Sequence, residues 1–149
     1  MRAIVQRVKE AEVRVDGQSV GRVGRGLLVY VGVQDGDGPE DAAYIAGKVC
    51  GLRIFPDDDG KMNLSARDVG GGVLTITNFT LLGDARKGRR PSFVAAAAPE
   101  SAERLCEDVA DAIRTNGVPV ETGIFRAQME ISSVADGPVN VLLDSRRVL

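Results

Sequence analysis

Two apolar rhythms share this chain, one of period two and one close to four, and their order predicts strands covered by helices. Val13 and Val15 alternate with Glu12, Arg14 and Asp16, and Asp16-Gly17 supplies a hairpin turn, so the opening reads as paired strands. Gly26-Leu27-Leu28-Val29-Tyr30-Val31-Gly32-Val33 is apolar on both parities, which predicts a strand buried on both faces. After the Gly36-Asp37-Gly38 turn, Pro39 suits a first helical position, and Ala42, Ile45, Val49 and Leu52 recur at helical spacing. A second helix is predicted from Pro99-Glu100, with Ala102, Leu105, Cys106, Val109 and Ile113 on one stripe and Gly117 as its stop. Residues 73 to 77 alternate like a strand, and further strands are predicted near 118 to 123, 128 to 134 and 139 to 144. The pattern amounts to about seven or eight strands and two amphipathic helices, each helix laying one face on a sheet.

Composition narrows the class. At 149 residues and 44% hydrophobic, the chain suffices for one domain with its own core, spanning 1 to 149. A formal charge of -2 argues against coating nucleic acid by bulk positive charge, while leaving room for a local basic patch that holds one RNA end. The first residues lack a leader pattern and no apolar run approaches a membrane span, so a cytoplasmic, unprocessed protein is expected, with no membrane partner. Cys50 and Cys106 fall in helix-like apolar stretches and read as small hydrophobes. With no CxxC spacing and no histidine anywhere, neither metal nor cofactor is expected. Any reaction must run on hydroxyls, amides, backbone dipoles or the substrate's own groups.

Several signatures fail on spacing. The segment from Gly83 to Arg90 has the glycines of a P-loop but no Lys-Ser/Thr after them. Asp57-Asp58-Asp59-Gly60 would place Phe55 and Ala66 at the first and twelfth positions of a calcium loop, so it reads as a solvated turn. Two segments end strand patterns in polar or turn-forming residues and are read as two walls of one site: Thr77-Asn78-Phe79-Thr80-Leu81 and Ala135-Asp136-Gly137-Pro138-Val139-Asn140. The cluster Arg86-Lys87-Gly88-Arg89-Arg90 follows the first of them, as either a solvated charge run or a grip on substrate phosphates. A lone threonine near a strand end, such as Thr80, is ordinarily a β-former, and Gly137-Pro138 is ordinarily a turn, although a proline ahead of Val139 can fix a cis bond and aim carbonyls rigidly.

Taken together, Arg2 to Arg7 with the Gly26 to Val33 strand, Arg53-Ile54-Phe55, Gly60-Lys61-Met62-Asn63-Leu64, Asn78-Phe79-Thr80-Leu81, Arg90-Pro91-Ser92-Phe93, Thr122-Gly123 and Asp136-Gly137-Pro138-Val139 resemble the landmarks of the D-aminoacyl-tRNA deacylases, in family order along the whole chain. The resemblance implies an α/β fold, a three-layer β/β/α sandwich with mostly antiparallel or mixed sheets and two main helices. It implies a homodimeric proofreading hydrolase acting on the ester that joins an amino acid to the 3′ end of tRNA. The site would be composite: Thr80 with Phe79 and Asn78 as the catalytic group, and Gly137 and Pro138 reaching over from the second copy, supported by Arg7. Thr77 and Asn140 flank these elements as binding residues, and Arg86, Lys87, Arg89 and Arg90 become candidates for tRNA contact.

Chemistry without imidazole follows, because an aminoacyl ester is already activated and needs positioning, oxyanion donors and water. The main-chain N–H groups around Phe79 and Thr80 are the expected donors. The ribose 2′-OH is available to orient water, leaving Thr80 as a positioning hydroxyl in preference to a covalent nucleophile. A Gly-Pro carbonyl that fixes the substrate's α-amino group would turn a D side chain outward and drive an L side chain into unyielding backbone, while glycine would pass.

The chain departs from the family's usual Ser-Gln-x-x-Thr and Asn-x-Gly-Pro-x-Thr patterns at Thr77, Asn78, Ala135 and Asn140. Asn78 is one methylene shorter than glutamine, and Ala135 has no hydrogen-bonding side chain. An altered specificity is therefore one expectation, a non-catalytic binder of tRNA ends a second, and a hydrolase of small D-amino-acid esters a third.

Overall fold

The computed structural model describes all residues from Met1 to Leu149. Eight strands and two α-helices follow in the order β1 (Arg2–Val15), β2 (Gln18–Val23), β3 (Gly26–Gly32), α1 (Pro39–Gly51), β4 (Phe55–Pro56), β5 (Met62–Leu64), β6 (Gly72–Thr77), α2 (Pro99–Thr115), β7 (Val120–Thr122) and β8 (Glu130–Asp144), with a short 3₁₀ turn at Phe79–Leu82 after β6. The sheet is mixed. β1 runs antiparallel to β2, β3 and β8, whereas β3, β6 and β7 are parallel.

Side-chain alternation on β3 explains why its sequence is apolar on both parities. Leu27, Val29, Val31 and Val33 face the helices in a core shared with Ile45, Val49, Leu105, Val109 and Ile113. Leu28 faces the other way, into a second core with Val8, Val13, Val23, Leu74 and Ile76. That second core lies between two β layers, and the first lies between sheet and helices, so the architecture is β/β/α as expected.

β1 serves both cores by changing parity. Ala3 and Val5 point to the helices, then Val8, and next Ala11 and Val13, point to the inter-sheet core. A change from even to odd positions needs an extra residue, and the pairing with β8 slips between Val8 and Glu10 accordingly.

The helices begin and end where their sequences indicate. Pro39 and Pro99 open them, and Asp41 reaches back to accept from the Gly38 N–H at 2.8 Å. Leu52 is the C-cap of α1 and lies just past its last turn, and Gly117 follows the Asn116 C-cap of α2. No helix is long and apolar enough to cross a membrane.

Two expectations change. The strands foreseen near 128 to 134 and 139 to 144 are one continuous strand, β8, with Gly137-Pro138 inside it and not at a turn between two strands. Thr80 stands near the end of β6 as the sequence reading has it, in the 3₁₀ turn that follows the strand. The acidic turn closes a β4–β5 hairpin absent from the sequence reading: Asp57 Oδ1 accepts from the N–H groups of Asp59 and Lys61, and Oδ2 from Asn63.

Candidate active site

The parallel strands β3 and β6 end side by side, and a cavity of about 630 Å³ opens beyond their carboxyl ends. Val31, Val33, Thr77, Asn78 and Phe79 form its floor and one wall. Pro99, Ala102 and Cys106 from the start of α2 form a second wall, and the segment from Phe125 to Met129 a third. Ala96 and Ala97 complete the lining. The alanine run that reads as a packed connector is therefore part of the pocket. It is held to the end of β3 by Ala97 N–H to Val33 O at 3.0 Å and Asp35 N–H to Ala95 O at 2.9 Å.

Asn78 organises the polar side of this cavity. As N-cap of the 3₁₀ turn its Oδ1 accepts from the Thr80 N–H at 3.2 Å and also from Thr80 Oγ1. The Thr80 N–H, one of the donors expected for an oxyanion, is thus engaged within the turn. Thr80 itself is exposed on the rim, and Phe79 is 57% exposed beside it.

The basic cluster stands next to this turn. Asp84 and Ser92 pair through both main-chain groups at 2.8 and 2.9 Å, closing a loop that presents residues 85 to 90 to solvent. Phe93 at its base packs edge-on against Phe79, with ring centroids 5.1 Å apart. Arg86 is not free: it forks onto Asp84 at 2.9 and 2.6 Å, and these side-chain hydrogen bonds hold the Asp84 carboxyl well below the usual carboxylate range. Lys87, Arg89 and Arg90 are exposed with no ion pair, so the cationic tip comprises three of the four predicted residues.

Arg7, Gly137, Pro138 and Asn140 lie elsewhere in the chain. Gly137-Pro138 is a cis peptide, and Gly137 has φ +130, a conformation that L side chains rarely adopt. Buried Arg7 supports this segment: its Nε donates to the Asp136 carbonyl at 3.1 Å and lies 3.3 Å from the Asp136 carboxylate, while Nη1 donates to the Ile54 carbonyl. The pairing slips from Gln6 with Asn140 to Val8 with Ala135, so the Gly-Pro segment bulges opposite Arg7. Arg7 is level with Leu27, whereas Thr77 is level with Val31. Within one chain the two candidate walls are therefore separated by about 13 Å along the strands and three strand spacings, about 14 Å, across them. They do not meet in one copy.

Sequence reading missed the wall formed by Phe125, Gln128 and Met129. Phe125 falls between two predicted strands, and Gln128 and Met129 fall at the start of the second, where nothing local marks a pocket wall. Burial and then the Glu107 charge push the Cys106 thiol in the pocket up to about 12, which disfavours the thiolate that a nucleophilic cysteine needs.

A family model described as D-Tyr-tRNA(Tyr) deacylase matches residues 4–144. Proteins named D-aminoacyl-tRNA deacylase from Anaeromyxobacter dehalogenans and Caldicellulosiruptor bescii are 59% and 56% identical, each over 99% of this chain and 99% of the relative. Among solved structures, one titled "c-Myc DNA Unwinding Element Binding Protein" superposes with a TM-score of 0.91 at 33% identity, covering 97% of this chain and 98% of its own. A probable eukaryotic D-amino acid tRNA deacylase shares the fold, with a TM-score of 0.81 at 18% identity over 95% and 97% of the two chains. With a histidine-free pocket at the ends of β3 and β6, and a family match from near its first residue to near its last, the chain belongs to the D-aminoacyl-tRNA deacylase family of hydrolases.

Proposed function

We propose that this protein hydrolyses the ester of D-aminoacyl-tRNA in the cytoplasm, each copy acting as one domain and two copies sharing the reaction site. The observation that carries the composite site is the separation just described: both candidate walls are exposed and shaped, yet lie on different parts of one chain. β8 supports a second copy as the missing partner, since its outer edge is unpaired and it exposes Val134 and Leu142 at 47% and 67%.

In this reading the aminoacyl group lies against Asn78 and Phe79, and the terminal nucleotides run toward Lys87, Arg89 and Arg90. Water attacks the acyl carbon, the bond to the ribose 3′-oxygen breaks, and that oxygen takes a proton, releasing D-amino acid and tRNA. The Phe79 N–H is the candidate oxyanion donor, a contribution of about 3 kcal/mol in comparable sites. Thr80, tied to Asn78, positions the ester, and the 2′-OH orients water. The Gly137-Pro138 main chain of the second copy sorts D from L by shape, and glycyl-tRNA passes for want of a side chain.

Matched D-, L- and glycyl-tRNA supply the test. Hydrolysis of the D and glycyl esters with the L ester spared is expected, from a species of twice the 15.8 kDa chain mass. Equal hydrolysis of D and L would refute the shape filter. Binding without any turnover would favour a tRNA-end binder, the reading suggested by Ala135, which offers no hydrogen-bonding side chain at that position of the second motif.

A further inference from the structure

We propose that Arg2 is a positioning residue for ester hydrolysis, setting the height and tilt of the 3₁₀ turn that carries Phe79 and Thr80. The inference rests on the role proposed for that turn. One row of the sheet runs beneath it: Arg2 on β1 pairs with Gly32 on β3 at one side and with Asp144 on β8 at the other.

Each member of the row has a distinct task. At Gly32 a Cβ would lie 2.6 Å from Leu82 Cδ2, 2.9 Å from the Asn78 carbonyl and 3.0 Å from Leu81 Cβ, so the missing side chain lets the turn rest directly on β3. Arg2 Nη1 then donates to the Leu81 carbonyl at 3.2 Å, securing an acceptor that a short helical turn leaves unsatisfied. Asp144, 6% exposed, faces Arg2 Nε at 3.5 Å, while its other oxygen accepts from the Arg146 N–H at 2.8 Å.

The Arg2–Asp144 pair is poorly made as a fold-stabilising bond. Arg2 Nε and Asp144 Oδ2 are the two buried side-chain polar atoms without a hydrogen-bond partner. With the Arg2 side chain 29% exposed and Asp144 buried, such a half-buried pair is weak support for stability. Its geometric effect is specific, because the Asp144 charge keeps the guanidinium aimed at Leu81. Arg2 thereby joins the end of β8, the strand bearing Gly137-Pro138, to the turn bearing Thr80.

Steady-state hydrolysis of D-aminoacyl-tRNA by Arg2→Ala, Arg2→Lys and Asp144→Asn, with amide ¹H–¹⁵N spectra of residues 78 to 82, tests the assignment. Displacing the turn by about an ångström is expected to lower kcat between ten- and a hundredfold in Arg2→Ala, with KM changed less than about twofold. Arg2→Lys keeps a charge for Asp144 but loses the separate Nη1 donor to Leu81, and its kcat falls between those of the wild type and Arg2→Ala. The amide signals of the turn shift in all three variants. In a Thr80→Ala background the loss on removing Arg2 shrinks, because both changes act on one group.

Wild-type kcat in Arg2→Ala or Arg2→Lys, unmoved amide signals, or losses at Arg2 and Thr80 that multiply in full would each overturn the proposal. Should Arg2→Ala not fold, Arg2→Lys and Asp144→Asn give the same readouts. If the unaltered protein hydrolyses no charged tRNA, the deacylase reading fails instead, and the amide shifts still decide whether Arg2 sets the turn.

Discussion

Asn78 uses one carbonyl oxygen to cap the 3₁₀ turn and to hold the Thr80 hydroxyl, so the shorter amide here is spent inside the turn. Thr80→Ala deletes a positioned hydroxyl and leaves the main chain in place. A loss of one hydrogen bond corresponds to about a three- to tenfold fall in kcat, with Thr80→Ser recovering most of it. Equal rates for Thr80 and its alanine variant would remove the hydroxyl from the reaction. Cys106 makes a second prediction from burial. Its thiol is pushed from 9.0 up to about 12 in the folded state, so the unfolded chain sheds this proton first as pH rises. The associated stability is fully present below about pH 9 and is lost as pH rises toward about 12, with a slope of at most about 1.4 kcal/mol per unit. Denaturant melts between pH 8 and 10.5 should show this decline flattened in Cys106→Ala, while Cys50, whose thiol burial also raises, keeps its own share. An unchanged slope would place the effect elsewhere.

At the scale of elements, the parallel pair β3 and β6 carries the 3₁₀ turn at its carboxyl end, and its spacing depends on a small residue at the first pairing. A Cβ on Gly26 would lie 2.0 Å from the Gly72 carbonyl oxygen, closer than any relaxed contact. Gly26→Ala should therefore cost about 3 kcal/mol or more in a denaturant melt, at or beyond the usual range for overpacking. A cost under about 1 kcal/mol would mean that the strands part there without strain. β8 shows how an element can be hidden by its own residues. Gly137-Pro138 reads locally as a turn, but the partner strand β1 continues on both sides of it, and slipped pairing carries β8 past the interruption.

Across the whole molecule, the pocket and the cationic loop lie together because Phe93 packs on Phe79. Replacing Arg89 and Arg90 with glutamine should weaken tRNA binding and reduce the slope of log K against log salt by about 0.7 per lost phosphate contact on a single strand, while kcat at saturation holds. Titrations at several salt concentrations measure this directly. A parallel slope in the variant would make the loop a solvated charge run.

Periodicity alone determined both helices, β3 and the β1–β2 hairpin, since each depends on residues only a few positions apart. The order of short blocks, from Arg2 to Val139, likewise identified the family. Tertiary structure decided the rest. Whether Arg7 reaches Asp136, Arg2 reaches Leu81 or Ala97 lines a pocket depends on register between segments up to 129 positions apart, and no local rhythm encodes register across a sheet. Strand pairing thus built the pocket and the supports of each candidate wall, from residues whose individual patterns named only their strands.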